Sequence, residues 1–304
     1  MKQTLYFGNP CHLSVANDQL RIAIPAPSDN PGAAGTVTTR PLEDIGIMVI
    51  DTPRATMTAS VFSGLMKYGA ALIVCDSRHL PSGLMLNLEG HSSQSERFRT
   101  HLTATLPLKK QLWQQTVSAK IHNQAMALRQ LNLDQALNML AWEKKVRSGD
   151  PDNFEATAAV YYWKTYLASF PGVTRRRDGD EPNSMLNYGY AILRAIIARA
   201  LVAAGMHPTL GIHHRNKYNP YCLADDIMEP YRPYVDIIVA SIVRDNPDAT
   251  IADKEVKRQL LSIPVCDVRI GNLRRPLSTA AAETAASLFK CFAGETRKIH
   301  YPAL

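Results

Sequence analysis

The stretch GIHHRNKYNPYCLADDIMEPYRPYVD, residues 211–236, contains closely spaced histidine, aspartate and glutamate side chains, and we interpret the rest of the chain around it. His214 lies fifteen residues before Glu229, and Asp226 lies three residues before it. The apolar pattern predicts a short helix over 223–228, which places Asp226 and Glu229 on one face. An imidazole and two carboxylates held together suit a hard divalent ion such as Mg²⁺ or Mn²⁺.

An ordinary polar surface is the alternative interpretation of this stretch. Scattered His, Asp and Glu side chains are usually solvated, and the chain has neither an HExxH nor a CxxC metal-binding pattern. Pro230 and Pro233 predict that regular helix ends near residue 229. Taken alone, residues 211–236 leave both a metal site and a solvated surface open.

Length and composition favour a two-domain globular protein. The chain has 304 residues, and 46% of them are hydrophobic, which is ample for a packed core. We find no signal-peptide pattern and no apolar run with the length of a membrane span, so we expect a cytoplasmic protein without membrane contact. Five scattered cysteines fit no zinc or disulfide spacing and predict reduced thiols.

Positive charge is a weaker indicator of a partner. The net charge of +7 favours a polyanion, nucleic acid first, but ordinary solubility charge also accounts for it. The loop TRRRDGDEP, residues 174–182, is expected either to bind phosphates or to be solvated. On the helix predicted over 109–131, the charged face that includes Lys120 is expected to be solvated.

Short β-prone segments dominate the first ninety residues, and helical patterns dominate the rest. Residues 45–50, IGIMVI, form an apolar run typical of a strand buried on both faces. A polar hinge at 89–93 precedes long helical patterns, including a very apolar one over 187–204. We therefore predict an α+β protein, with a small mainly-β N-terminal domain, 1–90, for dimerisation or docking, and a larger all-α domain, 91–304.

Glu155 is a further carboxylate candidate, in SGDPDNFEATAAVYYW, residues 148–163. Asp150 followed by Pro151 is typical of a helix start, so Glu155 falls early in the helix. Small and apolar residues three, four and seven positions later place Glu155 on an inward face, where a carboxylate must be paired, protonated or metal-bound. The alternative is a solvent-exposed glutamate favoured by the helix dipole.

Six motifs in order along the chain carry a family resemblance. They are TLYFGNP (4–10), KIxNQA (120–125), GDPDNxEAxAA (149–159), LNYGYAILR (186–194), LGIHH (210–214) and ADDIMEPYRP (224–233). Together they resemble the CRISPR-associated adaptation integrase (Cas-one) family in its type II-like form. The resemblance implies an N-terminal β-domain and a helical domain that holds a divalent-metal site.

The resemblance also implies the residues of that site. The ligands of Mg²⁺ or Mn²⁺ would be Glu155, His214 and Glu229, with Asp226 as an assisting acid and His213 in a structural role. Arg232 would contact a phosphate, or else pair with Asp236 or Asp226. The candidate DNA-binding residues are Arg175, Arg176, Arg177, Lys217 and Arg232.

The reaction implied by the resemblance is metal-dependent phosphodiester transfer. It joins the 3′-hydroxyl ends of a short foreign DNA fragment to the repeat of a CRISPR array, and the same site can cut DNA. The implied partners are DNA, a second copy of the chain, a small second adaptation protein and the type II effector nuclease. The alternatives are a stand-alone metal-dependent DNA nuclease with the same three ligands, and a non-catalytic DNA-binding scaffold.

Overall fold

The computed structural model describes residues 2–26, 35–170, 172–176 and 179–304. The chain divides into two compact units, Met1–Gly90 and His91–Leu304. The first unit is rich in strands and the second is mostly helical, so the predicted α+β class is confirmed.

The N-terminal unit contains one α-helix, α1 (Ala59–Lys67), among its described residues. Its strands are β1 (Gln3–Phe7), β2 (Cys11–Ala16), β3 (Gln19–Ile24), β4 (Thr36–Pro41), β5 (Ile45–Ile50), β6 (Ala55–Met57), β7 (Ala71–Cys75) and β8 (Pro81–Met85).

Within the described residues these strands form two four-stranded sheets, ordered β1-β5-β7-β8 and β4-β3-β2-β6. Strand β5 pairs in parallel with both β1 and β7, and all six of its residues are buried. A strand covered on both faces needs apolar side chains on both, which explains the uninterrupted IGIMVI run. The predicted role of this unit in dimerisation or docking stays a prediction.

The C-terminal unit consists mainly of helices. They are α2 (Gln94–Leu102), α3 (Leu106–Gln130), α4 (Leu137–Glu143), α5 (Phe154–Leu167), α6 (Asn183–Ala203), α7 (Cys222–Met228), α8 (Arg232–Asp245), α9 (Lys254–Leu260) and α10 (Leu277–Phe292). A small sheet accompanies them, made of β9 (Asp267–Ile270), β10 (Leu273–Pro276) and β11 (Pro302–Ala303) in the order β10-β9-β11. The all-α expectation omitted this sheet.

Helix α6 is long and apolar enough, by length and composition, to cross a membrane. Most of the helix is buried inside the C-terminal unit, where it packs against α7, α8 and α10. A helix surrounded by other helices has no solvated face to keep polar, which accounts for its composition.

The two prolines after α7 act differently from the prediction. Pro230 lies in a 3₁₀ turn, Glu229–Tyr231, and Pro233 lies in the first turn of α8. Proline is tolerated in a first turn because its missing N–H has no helical partner there. Helix α7 does end at Met228, but a new helix begins almost at once, and the turn between them holds Glu229.

Candidate active site

Two carboxylates from different elements meet at one buried ammonium group. The Nζ atom of Lys120, on α3, lies 2.7 Å from Oε1 of Glu155 and 2.6 Å from Oε2 of Glu229. Glu155 belongs to the first turn of α5, and Glu229 opens the 3₁₀ turn before α8. The fold therefore brings together two of the three predicted ligands, which are far apart in the sequence.

Asp150 fixes the start of the helix that carries Glu155. Its carboxylate oxygens accept the backbone N–H of Phe154, at 3.0 Å, and of Glu155, at 2.9 Å. Helix α5 begins at Phe154, so Asp150 caps it from the preceding turn and Pro151 lies before the helix. The side chain of Glu155 is 24% exposed, so it is partly shielded from solvent.

Glu229 is held at both carboxylate oxygens. Nε of Arg232 lies 2.9 Å from Oε1, an ion pair that is not aligned as a hydrogen bond, while Lys120 contacts Oε2. Burial by itself raises the pKa of Glu229, but the charges of Arg232, Lys120 and His214 outweigh it and lower the pKa to about 2. Glu229 is therefore an anion at neutral pH. Arg232 pairs with this residue and not with Asp236 or Asp226, its expected partners.

Asp226 orients the imidazole ring of His214. It is fully buried, and its Oδ1 lies 2.5 Å from Nδ1 of His214. Its oxygens also accept the backbone N–H groups of Ile212 at 2.8 Å, His213 at 2.9 Å and His214 at 3.2 Å. A carboxylate on one ring nitrogen fixes the tautomer and leaves Nε2 as the nitrogen for a metal.

The close fit around His214 requires a glycine at 211. A Cβ atom there would lie 2.4 Å from the His214 carbonyl oxygen and 2.8 Å from Oδ2 of Asp226. His213 stacks flat on Trp113, with ring centroids 4.1 Å apart, which agrees with a structural role. The hydrogen bond to Asp226 raises the pKa of His214 against the effect of burial, and the charges of Asp226, Glu229 and Glu155 add to the rise.

Lys120 is the residue of this cluster that sequence analysis placed wrongly. It was expected on a solvated face, but it is buried. Burial lowers the pKa of Lys120, yet the charges of Glu229 and Glu155 outweigh that effect, so the pKa is raised and the ammonium stays charged. Its position three residues after the buried Val117, on the flank of the apolar stripe of α3, is the signal that could have indicated burial.

The donor set fits a divalent cation. Among the described residues no three His, Cys, Asp or Glu side chains converge as a formed metal cluster. Glu155 and Glu229 instead converge on a cation, the Lys120 ammonium, and both influence the charge of His214. Two carboxylates and one imidazole nitrogen are ligands suited to Mg²⁺ or Mn²⁺.

Another buried carboxylate, Asp236 on α8, lies in a cage of tyrosines that the sequence did not predict. The hydroxyls of Tyr162, at 2.6 Å, and Tyr190 donate to its two oxygens, and Tyr166 donates to its carbonyl at 2.8 Å. Burial raises the pKa of Asp236 to about 6 despite these donors. Arg232 lies over the ring of Tyr190, at 4.7 Å, and links this cage to Glu229.

The predicted DNA-binding residues fall into two groups. Arg175 donates to Asn183 and Asn187, and Arg232 pairs with Glu229, so both guanidinium groups are engaged inside the protein. Arg176 and Lys217 are exposed. Arg177 lies outside the described residues.

Comparison with known proteins places these features in a family. The family model "CRISPR associated protein Cas1" matches residues 6–256. A CRISPR-associated endonuclease Cas1 from Neisseria meningitidis serogroup C (strain 8013) is 38% identical over 245 residues, 80% of this chain and 79% of that protein.

Solved structures show the same fold. A casposase bound to integration product matches with a TM-score of 0.82 and 19% identity, over 98% of this chain and 92% of that one. A Cas6-RT-Cas1–Cas2 complex matches with a TM-score of 0.75 and 19% identity, over 98% of this chain and 35% of that one.

Proposed function

The chain belongs to the CRISPR-associated Cas1 family, and we propose that it is the DNA endonuclease and integrase of CRISPR adaptation, dependent on Mg²⁺ or Mn²⁺. The supporting observation is the convergence of Glu155 and Glu229 on one cation beside an oriented His214. A scaffold that only binds DNA has no need for paired carboxylates in a buried position, where their ionisation requires compensating charge.

Glu155, His214 and Glu229 would hold the metal. When bound, a divalent metal lowers the pKa of an attacking hydroxyl or water and neutralises charge that develops on the phosphate. Asp226 keeps Nε2 of His214 turned to the site, and Arg232 keeps Glu229 ionised and in place. No protein nucleophile is required, because the attacking group is a 3′-hydroxyl of DNA, or water when the DNA is cut.

The proposed partners are DNA and a small second adaptation protein. The casposase neighbour is described as bound to an integration product, and another neighbour is a complex that contains Cas2. Homodimerisation through the N-terminal unit, contact with a type II effector nuclease and a cytoplasmic location complete the proposal. Phosphate contacts are expected to supply most of the affinity for DNA.

A strand-transfer assay tests this function. Purified protein, with and without Cas2, is mixed with a labelled DNA duplex and a supercoiled plasmid that carries a repeat array, in Mg²⁺, Mn²⁺ or EDTA. The variants are His214→Ala and, as a matched control, His12→Ala, which removes an exposed histidine of the N-terminal unit.

The expected result is metal-dependent transfer of label to the plasmid by wild type and His12→Ala, but not by His214→Ala. Plasmid nicking without label transfer, even with Cas2, would favour a stand-alone nuclease. DNA binding without any metal-dependent product, equal in wild type and His214→Ala, would favour the scaffold and refute the enzyme.

A further inference from the structure

The charge of the carboxylate pair is already balanced in the structure. Glu155 and Glu229 bring two negative charges, and Lys120 and Arg232 bring two positive charges in direct ion pairs. Glu229, Lys120 and Arg232 are largely shielded from water, so an unbalanced charge among them would be costly. A divalent cation that entered beside both basic groups would leave two positive charges in excess.

The two basic side chains differ in how easily they can move away from the carboxylates. The Arg232 guanidinium lies over the ring of Tyr190 and also pairs with Glu229, and its residue opens α8. The Lys120 ammonium ends a flexible four-carbon chain, and within the described residues its ion pairs are with the two carboxylates. It also lies where a metal would have to bind, within hydrogen-bonding distance of an oxygen from each carboxylate.

We propose that Lys120 is a placeholder cation, which holds Glu155 and Glu229 together before the metal binds and must leave them when it does. This inference rests on the proposed metal site. Lys120 is accordingly a positioning residue that competes with the metal, and not a metal ligand. The Lys120 ammonium holds the two like-charged carboxylates close together before the metal binds. Because the metal must displace it, Lys120 also lowers the affinity of the site for the metal.

Calorimetric titration of Mn²⁺ into EDTA-free protein tests the competition directly. The variant is Lys120→Met, which keeps the length of the side chain and removes its charge. The matched control is Arg129→Met, which removes one positive charge from an exposed position of the same helix. We expect Lys120→Met to bind Mn²⁺ about tenfold more tightly than wild type, and Arg129→Met to bind it equally.

An affinity of Lys120→Met equal to or weaker than that of wild type would overturn the placeholder role. If Lys120→Met is unfolded in EDTA, circular dichroism should show refolding when Mn²⁺ is added, because the metal supplies the missing cation. A variant that stays unfolded with Mn²⁺ would overturn the role as well.

A failure of the proposed metal site gives a different result from a failure of the placeholder role alone. If wild type binds no Mn²⁺, or if His214→Ala binds it as tightly as wild type does, the proposed function fails and the placeholder role fails with it. His214-dependent binding in wild type without the gain in Lys120→Met removes only the placeholder role.

Discussion

Two clusters of the C-terminal unit, one around Asp236 and one around Glu155 and Glu229, neutralise their carboxylates in different ways. Around Asp236 the compensating groups are the hydroxyls of Tyr162 and Tyr190, which are neutral donors on rigid helices. Around Glu155 and Glu229 the compensating groups are cations, the Lys120 ammonium and the Arg232 guanidinium. The first arrangement satisfies its carboxylate with neutral hydrogen-bond donors, whereas the second satisfies its two carboxylates with positive charges.

The two clusters differ in charge as a result. Burial dominates at Asp236 and raises its pKa to about 6, while the neighbouring cations dominate at Glu229 and lower its pKa to about 2. A carboxylate that is easily protonated is a poor metal ligand, and one that stays ionised is a good one. The comparison therefore favours a structural role for Asp236 and supports the proposed role of Glu229 as a metal ligand.

The largest expected effect is that of Glu155→Gln, in the cluster of Glu155, Glu229 and Lys120, on strand transfer. The amide keeps the size of the side chain but cannot provide an anionic ligand, so the rate of metal-dependent strand transfer should fall on the order of 10³-fold. Lys120 keeps its contact with Glu229, so the melting temperature should change by no more than about 3 °C. Gel assays of strand transfer and thermal melts measure the two effects.

Glu255→Gln is the control for that change. Glu255 is an exposed glutamate that pairs with Arg258 on α9, and its replacement should leave strand transfer at the wild-type rate. Full activity of Glu155→Gln would show that the carboxylate pair is structural, like the Asp236 cage.

Asp226→Asn should weaken metal binding without removing a ligand. Asn has one carbonyl oxygen in place of the two that orient His214 and bind the backbone N–H groups beside it. We expect about 10- to 100-fold weaker Mn²⁺ binding by calorimetry. Asp225→Asn is the adjacent control, because Asp225 pairs with Arg194 and not with His214. Equal losses in both variants would contradict the orienting role.

Asp236 should make the stability of the protein depend on pH, and Asp236→Asn should remove that dependence. The folded-state pKa is raised from 3.8 to about 6, so the stabilising contribution is fully present below pH 3.8 and is lost as the pH rises through about 6. The melting temperature of wild type minus that of Asp236→Asn should therefore fall by several degrees between pH 4 and pH 7. A constant difference would contradict the raised pKa.

The sequence predicted the parts of the molecule that local patterns determine. The run IGIMVI predicted a buried strand because a strand inside a sheet needs apolar side chains on both faces, and β5 has that environment. The very apolar pattern over 187–204 predicted the core helix α6 for a similar reason. The family motifs singled out Glu155 and Glu229, which the fold brings to one point.

The partners of buried charges could not be predicted in the same way. Lys120 belongs to a helix with other charged residues, and only the packing of α5 and the 3₁₀ turn against α3 shows that its ammonium faces two carboxylates. The cage of Asp236 joins Tyr162 of α5 and Tyr190 of α6 to α8. Such clusters depend on tertiary contacts between distant segments. The hydrophobic periodicity of one helix does not show which segments pack against it.

The smallest expected effect is on DNA binding, in which Lys217 and Arg175 should differ. Lys217 is exposed in the loop after His214, whereas Arg175 is engaged with Asn183 and Asn187 near the tyrosine cage. Lys217→Ala should weaken DNA binding a few-fold and reduce the dependence of log Kd on log salt by about one, as expected for one lost phosphate contact. Arg175→Ala should lower the melting temperature and leave that dependence unchanged. Anisotropy titrations over a range of salt concentrations measure both slopes, and a reduced slope in Arg175→Ala alone would reverse the assignment and place the DNA on the side of the cage.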